Sequence, residues 1–356
     1  MVAQKIQINE TVLKRFVTLQ KNNRLAHAYL FIGPRQVGKT QTALAASKFL
    51  NCENIENNVS LRGGTFLSDD EAIHSKKIAS PKKQARNDTL DDFFCDVCPT
   101  CLKITHGNHP DIHLISCEET ETIKIEQVRE LINQIQLKSF EARVKVFILQ
   151  DVEKLTLQGA NALLKTLEEP AKDSLLILTS CVPEEVVDTI RSRCHAMNFS
   201  ATSPRALAGQ LAQDFALNPS AANFLAYYSQ GSMGRARHLA EEKFFERKNE
   251  ALDALVCSPE SEEYLKEILS DKEKTKEVLD VLLMWLRDLL VMKTNGNEAH
   301  LINIDRLKDL KKYEARYSFE ELTELTQEIV KAAALLSENL NVKMALGLMQ
   351  ENLWRK

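Results

Sequence analysis

The stretch Ala28-Tyr-Leu-Phe-Ile-Gly-Pro-Arg-Gln-Val-Gly-Lys-Thr40 decides how the chain begins to fold. Its first five residues are an apolar run of strand length. The next eight, Gly33, Pro34, Arg35, Gln36, Val37, Gly38, Lys39 and Thr40, fit the phosphate-loop pattern (Gly, four residues, Gly-Lys, then Ser or Thr) without a mismatch. From Thr40 to Leu50 apolar residues recur at helical spacing. Strand, glycine turn and helix in that order let backbone N–H groups turn inward around phosphate oxygens. Lys39 then reaches the outer phosphates and Thr40 offers its hydroxyl to Mg²⁺. The helix adds its positive N-terminal end. The ligand expected here is ATP or ADP, with Mg²⁺ beside Thr40.

Outward from this unit, strand and helix alternate. Ile125, Val128, Leu131, Ile132 and Ile135 step by three and four residues, which predicts an amphipathic helix over 125–137. His113–Ser116, Lys145–Leu149 and Ser174–Thr179 have strand length, and the last two are apolar enough to lie buried on both faces of a parallel sheet. Gly159 to Glu168 reads as helix and stops at Glu169-Pro170. The fold class is therefore an α/β phosphate-loop domain over residues 1–203, a parallel sheet flanked by helices. Within it, residues 53–92 turn polar and charged, without periodic apolar positions, and read as a surface insertion. After Ser203-Pro204 the pattern becomes helical throughout: a short bundle over 204–243, then an all-α segment over 244–356. In that segment Val278, Val281, Leu282, Trp285 and Leu289 make one apolar stripe. Met344, Leu346 and Leu348 fit a core or subunit interface better than a cofactor site.

Composition narrows the function. The chain has 356 residues, enough for two or three domains, and no apolar run of membrane-spanning length. The start, Met1 to Glu10, has no basic segment followed by an apolar core, so a cytoplasmic protein is expected, with no membrane partner. Lys and Arg number 46 against 50 Asp and Glu, a net charge of −4, whereas a chain that gripped nucleic acid alone would carry a basic surface. Contact with DNA is expected only through a larger assembly. Ser80-Pro-Lys-Lys83 fits a solvated charge run better than a phosphate contact.

Eight cysteines in a cytoplasmic chain do not suggest a disulfide framework. Three of them, Cys95, Cys98 and Cys101, crowd into seven residues and read as ligands of a structural Zn²⁺, which takes four in a tetrahedron. Cys52, at the end of the phosphate-loop helix, is the expected fourth; His106 and His109 are the alternatives. A closed site of this kind leaves no open position for chemistry.

Hydrolysis by this chain is expected to be weak or absent. A working phosphate-loop ATPase needs an acidic residue at the end of a neighbouring strand for Mg²⁺, and a group that orients water. After Val146-Phe-Ile-Leu149 comes Gln150-Asp151 in place of an Asp-Glu pair. Gln150 carries no charge for a metal, and Asp151 is a methylene short. If Asp151 is instead the metal-side acid, Val152 falls at the water-activating position. Thr189-Ile-Arg-Ser-Arg-Cys194 holds two arginines close to the end of the α/β domain. Taken alone they are surface charge, although an arginine in such a loop can complete a phosphoryl-transfer site on a neighbouring subunit.

Ala26-His-Ala-Tyr-Leu-Phe-Ile-Gly-Pro-Arg35, the cysteine cluster with His109-Pro-Asp111, Ala160-Asn-Ala-Leu-Leu-Lys-Thr-Leu-Glu-Glu-Pro170 and Ser192-Arg-Cys194 follow one another in this order. In this the chain resembles the bacterial DNA polymerase III clamp-loader AAA+ family over roughly residues 10–240. The resemblance continues more weakly to Asn339-Leu-Asn-Val-Lys-Met-Ala-Leu346. It implies an AAA+ nucleotide-binding domain over 1–203, a helical lid over 204–243 and a helical collar over 244–356. It also implies a hetero-pentamer with tau/gamma and delta subunits that places a sliding clamp on primed DNA. Two types of member differ here: the tau/gamma motor, and the delta-prime type, which donates its Ser-Arg-Cys arginine to the motor. Gln150-Asp151, Ser180-Cys181 at the sensor position, and Gly234 where the motor's lid arginine stands favour the delta-prime type; Arg235 is one place away. On that resemblance Arg193 is the arginine finger acting in trans. The intact phosphate loop favours the alternative, an active tau/gamma-type ATPase. A zinc-bearing DNA-binding module with a vestigial loop is the third possibility, and the acidic balance opposes it. A simple phosphate-loop kinase would leave Ser192-Arg-Cys194 and the helical tail unexplained.

Overall fold

The computed structural model describes residues 8–54, 93–117, 122–257, 271–294 and 296–337. Most of the polar insertion with Ser80-Pro-Lys-Lys83, and the tail with Asn339–Leu346 and Leu348, lie outside the described residues.

The chain divides into two units, Met1–Ala201 and Thr202–Lys356. In the first, β1 (Ala28–Ile32), β2 (Ile112–Ile115), β3 (Lys145–Leu149), β4 (Ser174–Ser180) and β5 (His195–Asn198) form one sheet in the order β2-β3-β4-β1-β5. All neighbouring pairs are parallel. Side chains alternate across a strand, and here the alternation sorts the core into two layers. Tyr29, Phe31, Val146, Ile148, Leu175 and Ile177 face α1 (Glu10–Lys21) and α2 (Lys39–Asn51), packing with Phe16, Ala43, Ala46 and Phe49. Ala28, Leu30, Phe147, Leu149, Leu176 and Leu178 face α4 (Ile125–Gln136) and α5 (Leu157–Glu168), packing with Val128, Leu131, Ile135, Ala160, Leu163 and Leu167. β3 and β4 are buried along their whole length, which explains their uninterrupted apolar runs. Two of these helices begin where a side-chain acceptor takes a free N–H group: Asn9 caps α1, and Thr156 caps α5. A short α3 (Pro99–Thr105) carries the last cysteine of the cluster, Cys101, and a one-turn α6 (Asp188–Arg191) leads into β5.

Beyond Ala201 come α7 (Pro204–Phe215), α8 (Pro219–Tyr228), α9 (Met233–Glu241), α10 (Phe244–Leu252), α11 (Lys272–Lys293), α12 (Leu307–Glu314) and α13 (Phe319–Ser337). The expected stripe of Val278, Val281, Leu282, Trp285 and Leu289 is buried on α11. One apolar cluster runs from Leu207 to Ala332, so residues on both sides of position 243 share a core. Its polar exceptions are paired. Lys248 reaches Asp305 at 2.7 Å, and Asp288 accepts the N–H groups of Ile302 and Asn303. Arg235 stacks its guanidinium 4.9 Å from the Tyr228 ring within this unit. No helix among the described residues is long and apolar enough to cross a membrane.

Candidate nucleotide, metal and arginine sites

The phosphate loop leaves the end of β1 where it must bend sharply. A Cβ on Gly33 would run into the Phe199 carbonyl oxygen, so only glycine fits there. Gly38 takes a left-handed conformation (φ 89°) and starts α2 directly at Lys39. The positive end of a 13-residue helix therefore points into the loop. Lys39 is buried; its ammonium donates to the Gly33 and Pro34 carbonyls at 2.5 and 2.7 Å and lies 3.2 Å from the Cys181 sulfur.

The strand-end position beside the loop is filled by Gln150, the first residue after β3. Its amide donates to the Thr40 hydroxyl at 2.6 Å. Of the two registers open to the sequence, this contact sets the uncharged Gln150, not Asp151, beside the Thr40 hydroxyl. Asp151 turns into a left-handed conformation (φ 50°), its N–H donating to the Thr179 hydroxyl at 3.3 Å. Its carboxylate lies near Cys181 and Lys154, at 3.8 and 3.9 Å, away from Thr40. Glu153, which the sequence did not single out, accepts the Cys181 N–H at 3.0 Å. At the sensor position, Ser180 lies in β4 and its carbonyl accepts the Gly33 N–H.

Cys52, Cys95, Cys98 and Cys101 come together on the α2 side of the sheet. Cys52 follows the last turn of α2, and Cys98 caps α3. The four sulfurs lie within 4.8 Å of one another, with Cys52 and Cys95 3.6 Å apart. Zinc–thiolate bonds of about 2.3 Å set the sulfur–sulfur edge of a tetrahedron near 3.8 Å, so these donors fit a zinc ion. N–H groups of Cys98 and Cys101 point at the sulfurs of Cys95 and Cys98. Burial opposes ionisation of Cys95, but the N–H groups of Val97 and Cys98 and the thiols of Cys52 and Cys98 outweigh it, bringing its pKa to about 7. Burial raises Cys52 and Cys101. One thiolate is favoured at its neighbours' expense, a conflict that a divalent cation would relieve. The turn is tied to α2 by Lys48, buried at 4% exposure, whose ammonium reaches Asp96 at 2.5 Å. Neither histidine alternative joins the four: His106 caps α3 on the surface, and the buried His109 accepts the Asp111 N–H through Nδ1.

The arginines occupy the other end of the sheet. β5 pairs with β1 in parallel, from Tyr29 with His195 to Ile32 with Asn198. Arg193 precedes β5, whereas the phosphate loop follows β1, so the two are separated by at least roughly 10 Å of strand rise. Arg191 is used within its own turn, by Asp188 and the Pro183 carbonyl. Arg193 is held at Nε and Nη2 by one carboxylate oxygen of Glu168, at 2.9 and 2.6 Å, and at Nη1 by the Thr189 carbonyl at 3.0 Å. Glu168 lay in plain view as an acid at the C-terminal end of a predicted helix, where it opposes the helix dipole.

The family profile described as DNA polymerase III, delta subunit, matches residues 8–84 and 65–203, and one described as DNA polymerase III, delta subunit, C terminal, matches 242–353. This chain belongs to the DNA polymerase III delta-subunit family. Within that family it is 28% identical to the subunit delta′ of Bacillus subtilis over 97% of this chain and 94% of that one. It is also 31% identical to the Escherichia coli tau subunit, over 62% of this chain but only 29% of that longer protein. Among solved structures, a gamma subunit-related protein of Thermotoga maritima aligns over 96% of this chain and 98% of its own, at 17% identity and a TM-score of 0.42. The delta-subunit profiles thus cover both the sheet domain and most of the helical region.

Proposed function

We propose that this chain is a delta-prime-type clamp-loader subunit: it holds a nucleotide without hydrolysing it effectively and lends Arg193 to a neighbouring ATPase. The family supports the clamp-loader role, and similarity to delta′ along nearly the whole chain supports the type. The observation that carries the division of labour is the position of Arg193. It lies at the end of the sheet opposite its own phosphate loop, so the phosphates it can serve belong to another molecule. The Gln150 amide on Thr40 supports the other half, because it puts no charge where a metal-side carboxylate would act.

In this scheme the loop Gly33–Thr40 receives the phosphates of ATP or ADP. Lys39 exchanges its carbonyl partners for phosphate oxygens, and the N-terminus of α2 faces the negative charge. Mg²⁺, when bound with the nucleotide, would neutralise phosphate charge beside Thr40. Cys52, Cys95, Cys98 and Cys101 would hold zinc and fasten α3 to the end of α2. The partners are the tau/gamma and delta subunits of a hetero-pentamer that places the sliding clamp on primed DNA, in the cytoplasm. Substituting Arg193 by Ala tests the scheme. The complex should still assemble and the chain still bind nucleotide, while DNA-stimulated ATP turnover falls by about tenfold or more. Normal turnover by the variant complex rules the trans arginine out.

A further inference from the structure

Arg193 is not loose on the surface. Four contacts fix its guanidinium: Nε and Nη2 to Glu168 Oε1 at 2.9 and 2.6 Å, and Nη1 to the Thr189 carbonyl at 3.0 Å and the Ser192 hydroxyl at 3.4 Å. An arginine has five N–H donors in a planar fork, and its Nε edge and its Nη1–Nη2 edge can each meet a pair of oxygens. Glu168 takes the Nε edge. The Nη1–Nη2 edge, by which two phosphate oxygens are gripped at once, is left by Glu168; Nη1 rests there on the Thr189 carbonyl and the Ser192 hydroxyl and would exchange these weaker partners for phosphate oxygens. The side chains remain open to approach, at 34% and 50% exposure for Arg193 and Glu168.

Two further features make this more than a surface ion pair. Glu168 is the last residue of α5, where a carboxylate opposes the helix dipole, so its charge does not serve the helix. α5 is itself anchored, with Leu163 and Leu167 fully buried and the Leu167 carbonyl bonded to His27 at 2.8 Å. The carboxylate is thus presented from the rigid side of the domain to a side chain on a short turn.

We infer that Glu168 is a positioning residue for Arg193: its carboxylate oxygen clamps the Nε edge and aims the Nη1–Nη2 edge at the phosphates of the neighbouring subunit. The assignment rests on the trans-arginine proposal above. Fixing a long, flexible side chain before the phosphates arrive lowers the ordering cost at the moment of reaction, so its loss falls on kcat.

The test uses the reconstituted clamp-loader complex, with ATP and primed DNA, and four forms of this chain besides the native one: Glu168→Ala, Glu168→Gln, Arg193→Ala and the double alanine variant. Assembly of each complex is checked by gel filtration before turnover is measured. Glu168→Ala should lower kcat about fivefold or more with KM for ATP within twofold. Glu168→Gln, which keeps an acceptor oxygen, should recover to within about threefold of native. The double variant should be no slower than Arg193→Ala alone, because Glu168 acts only through Arg193. A native kcat in Glu168→Ala beside a crippled Arg193→Ala overturns the positioning role alone. So does a further loss in the double variant, or a glutamine form as slow as the alanine form. Native turnover in Arg193→Ala overturns the trans arginine itself, and the positioning role falls with it.

Discussion

In the proposed scheme the two ends of the sheet serve opposite halves of one reaction. At the C-terminal end of β1 the machinery for holding phosphate is complete in outline, with glycine turn, lysine and helix N-terminus, yet Gln150 occupies the acid's place. At the N-terminal end of β5 stands an arginine suited to stabilising phosphoryl transfer, with no phosphate site of its own within reach. The difference teaches that binding and chemistry can be separated along a single strand pair. On that proposal one end keeps recognition without the charge that hydrolysis needs, and the other supplies charge without a substrate.

The largest effect should come from the arginine end. Arginine fingers are worth about 10³-fold or more at the site they serve, roughly 4 kcal/mol, so Arg193→Ala should dominate any single-turnover ATPase series on the complex. The same substitution should leave nucleotide affinity of the isolated chain unchanged within twofold in a fluorescence titration. A weakened affinity there would mean that the two ends are not independent.

The cysteine cluster comes next. Cys52→Ser should reduce zinc content well below one per chain by atomic absorption. It should also lower stability to urea by about 3 kcal/mol, a fraction of the ~10–16 kcal/mol that zinc supplies to small finger peptides. Because Cys52 follows directly on α2, nucleotide affinity should weaken with it while the arginine end is spared.

Gln150→Asp sharpens the phosphate end. It returns a carboxylate to within hydrogen-bond reach of Thr40, so nucleotide binding by the isolated chain should become about tenfold tighter with Mg²⁺ than without it. The native chain should show a smaller dependence by calorimetry. An equal Mg²⁺ effect in both would mean that Gln150 does not set the charge at this position.

The smallest effect concerns the edge of the sheet farthest from β5. Asp111, just ahead of β2, accepts the N–H groups of Phe140, Glu141 and Ala142. Burial pushes its pKa up, but those N–H groups outweigh burial and hold it below the usual carboxylate range. A lowered folded pKa gives stability that is present above the unfolded value near 4 and is lost as pH falls through the folded value. Asp111→Asn should therefore cost about 1 kcal/mol at neutral pH, and its thermal melting curve should start to approach the native one below roughly pH 4 and meet it only below the lowered folded pKa.

What could be seen in advance was local. The bounds of β1 and β3 followed from apolar runs ended by a glycine turn and by Gln150, and the phosphate loop and the dense cysteines announced themselves by spacing. What could not be seen depends on partners far along the chain. The Gln150–Thr40 contact spans 110 positions and the Arg193–Glu168 pair 25, and nothing in either segment alone specifies the other. Leu137, expected to close α4, is instead extended and exposed, because the chain there turns toward the Phe140–Ala142 loop. The helical region hid its polar interior for the same reason: Lys248 and Asp288 sit in apolar stripes and find their partners more than a dozen residues away.

α2 is a ruler. Its 13 residues begin at Lys39, in the phosphate loop, and end at Asn51, and the next residue, Cys52, belongs to the thiol cluster. Adding or deleting one residue anywhere along it would swing Cys52 about 100° around the axis and shift it by about 1.5 Å. The length of this helix is therefore as constrained as any side chain in either site, although no single position in its middle would reveal that.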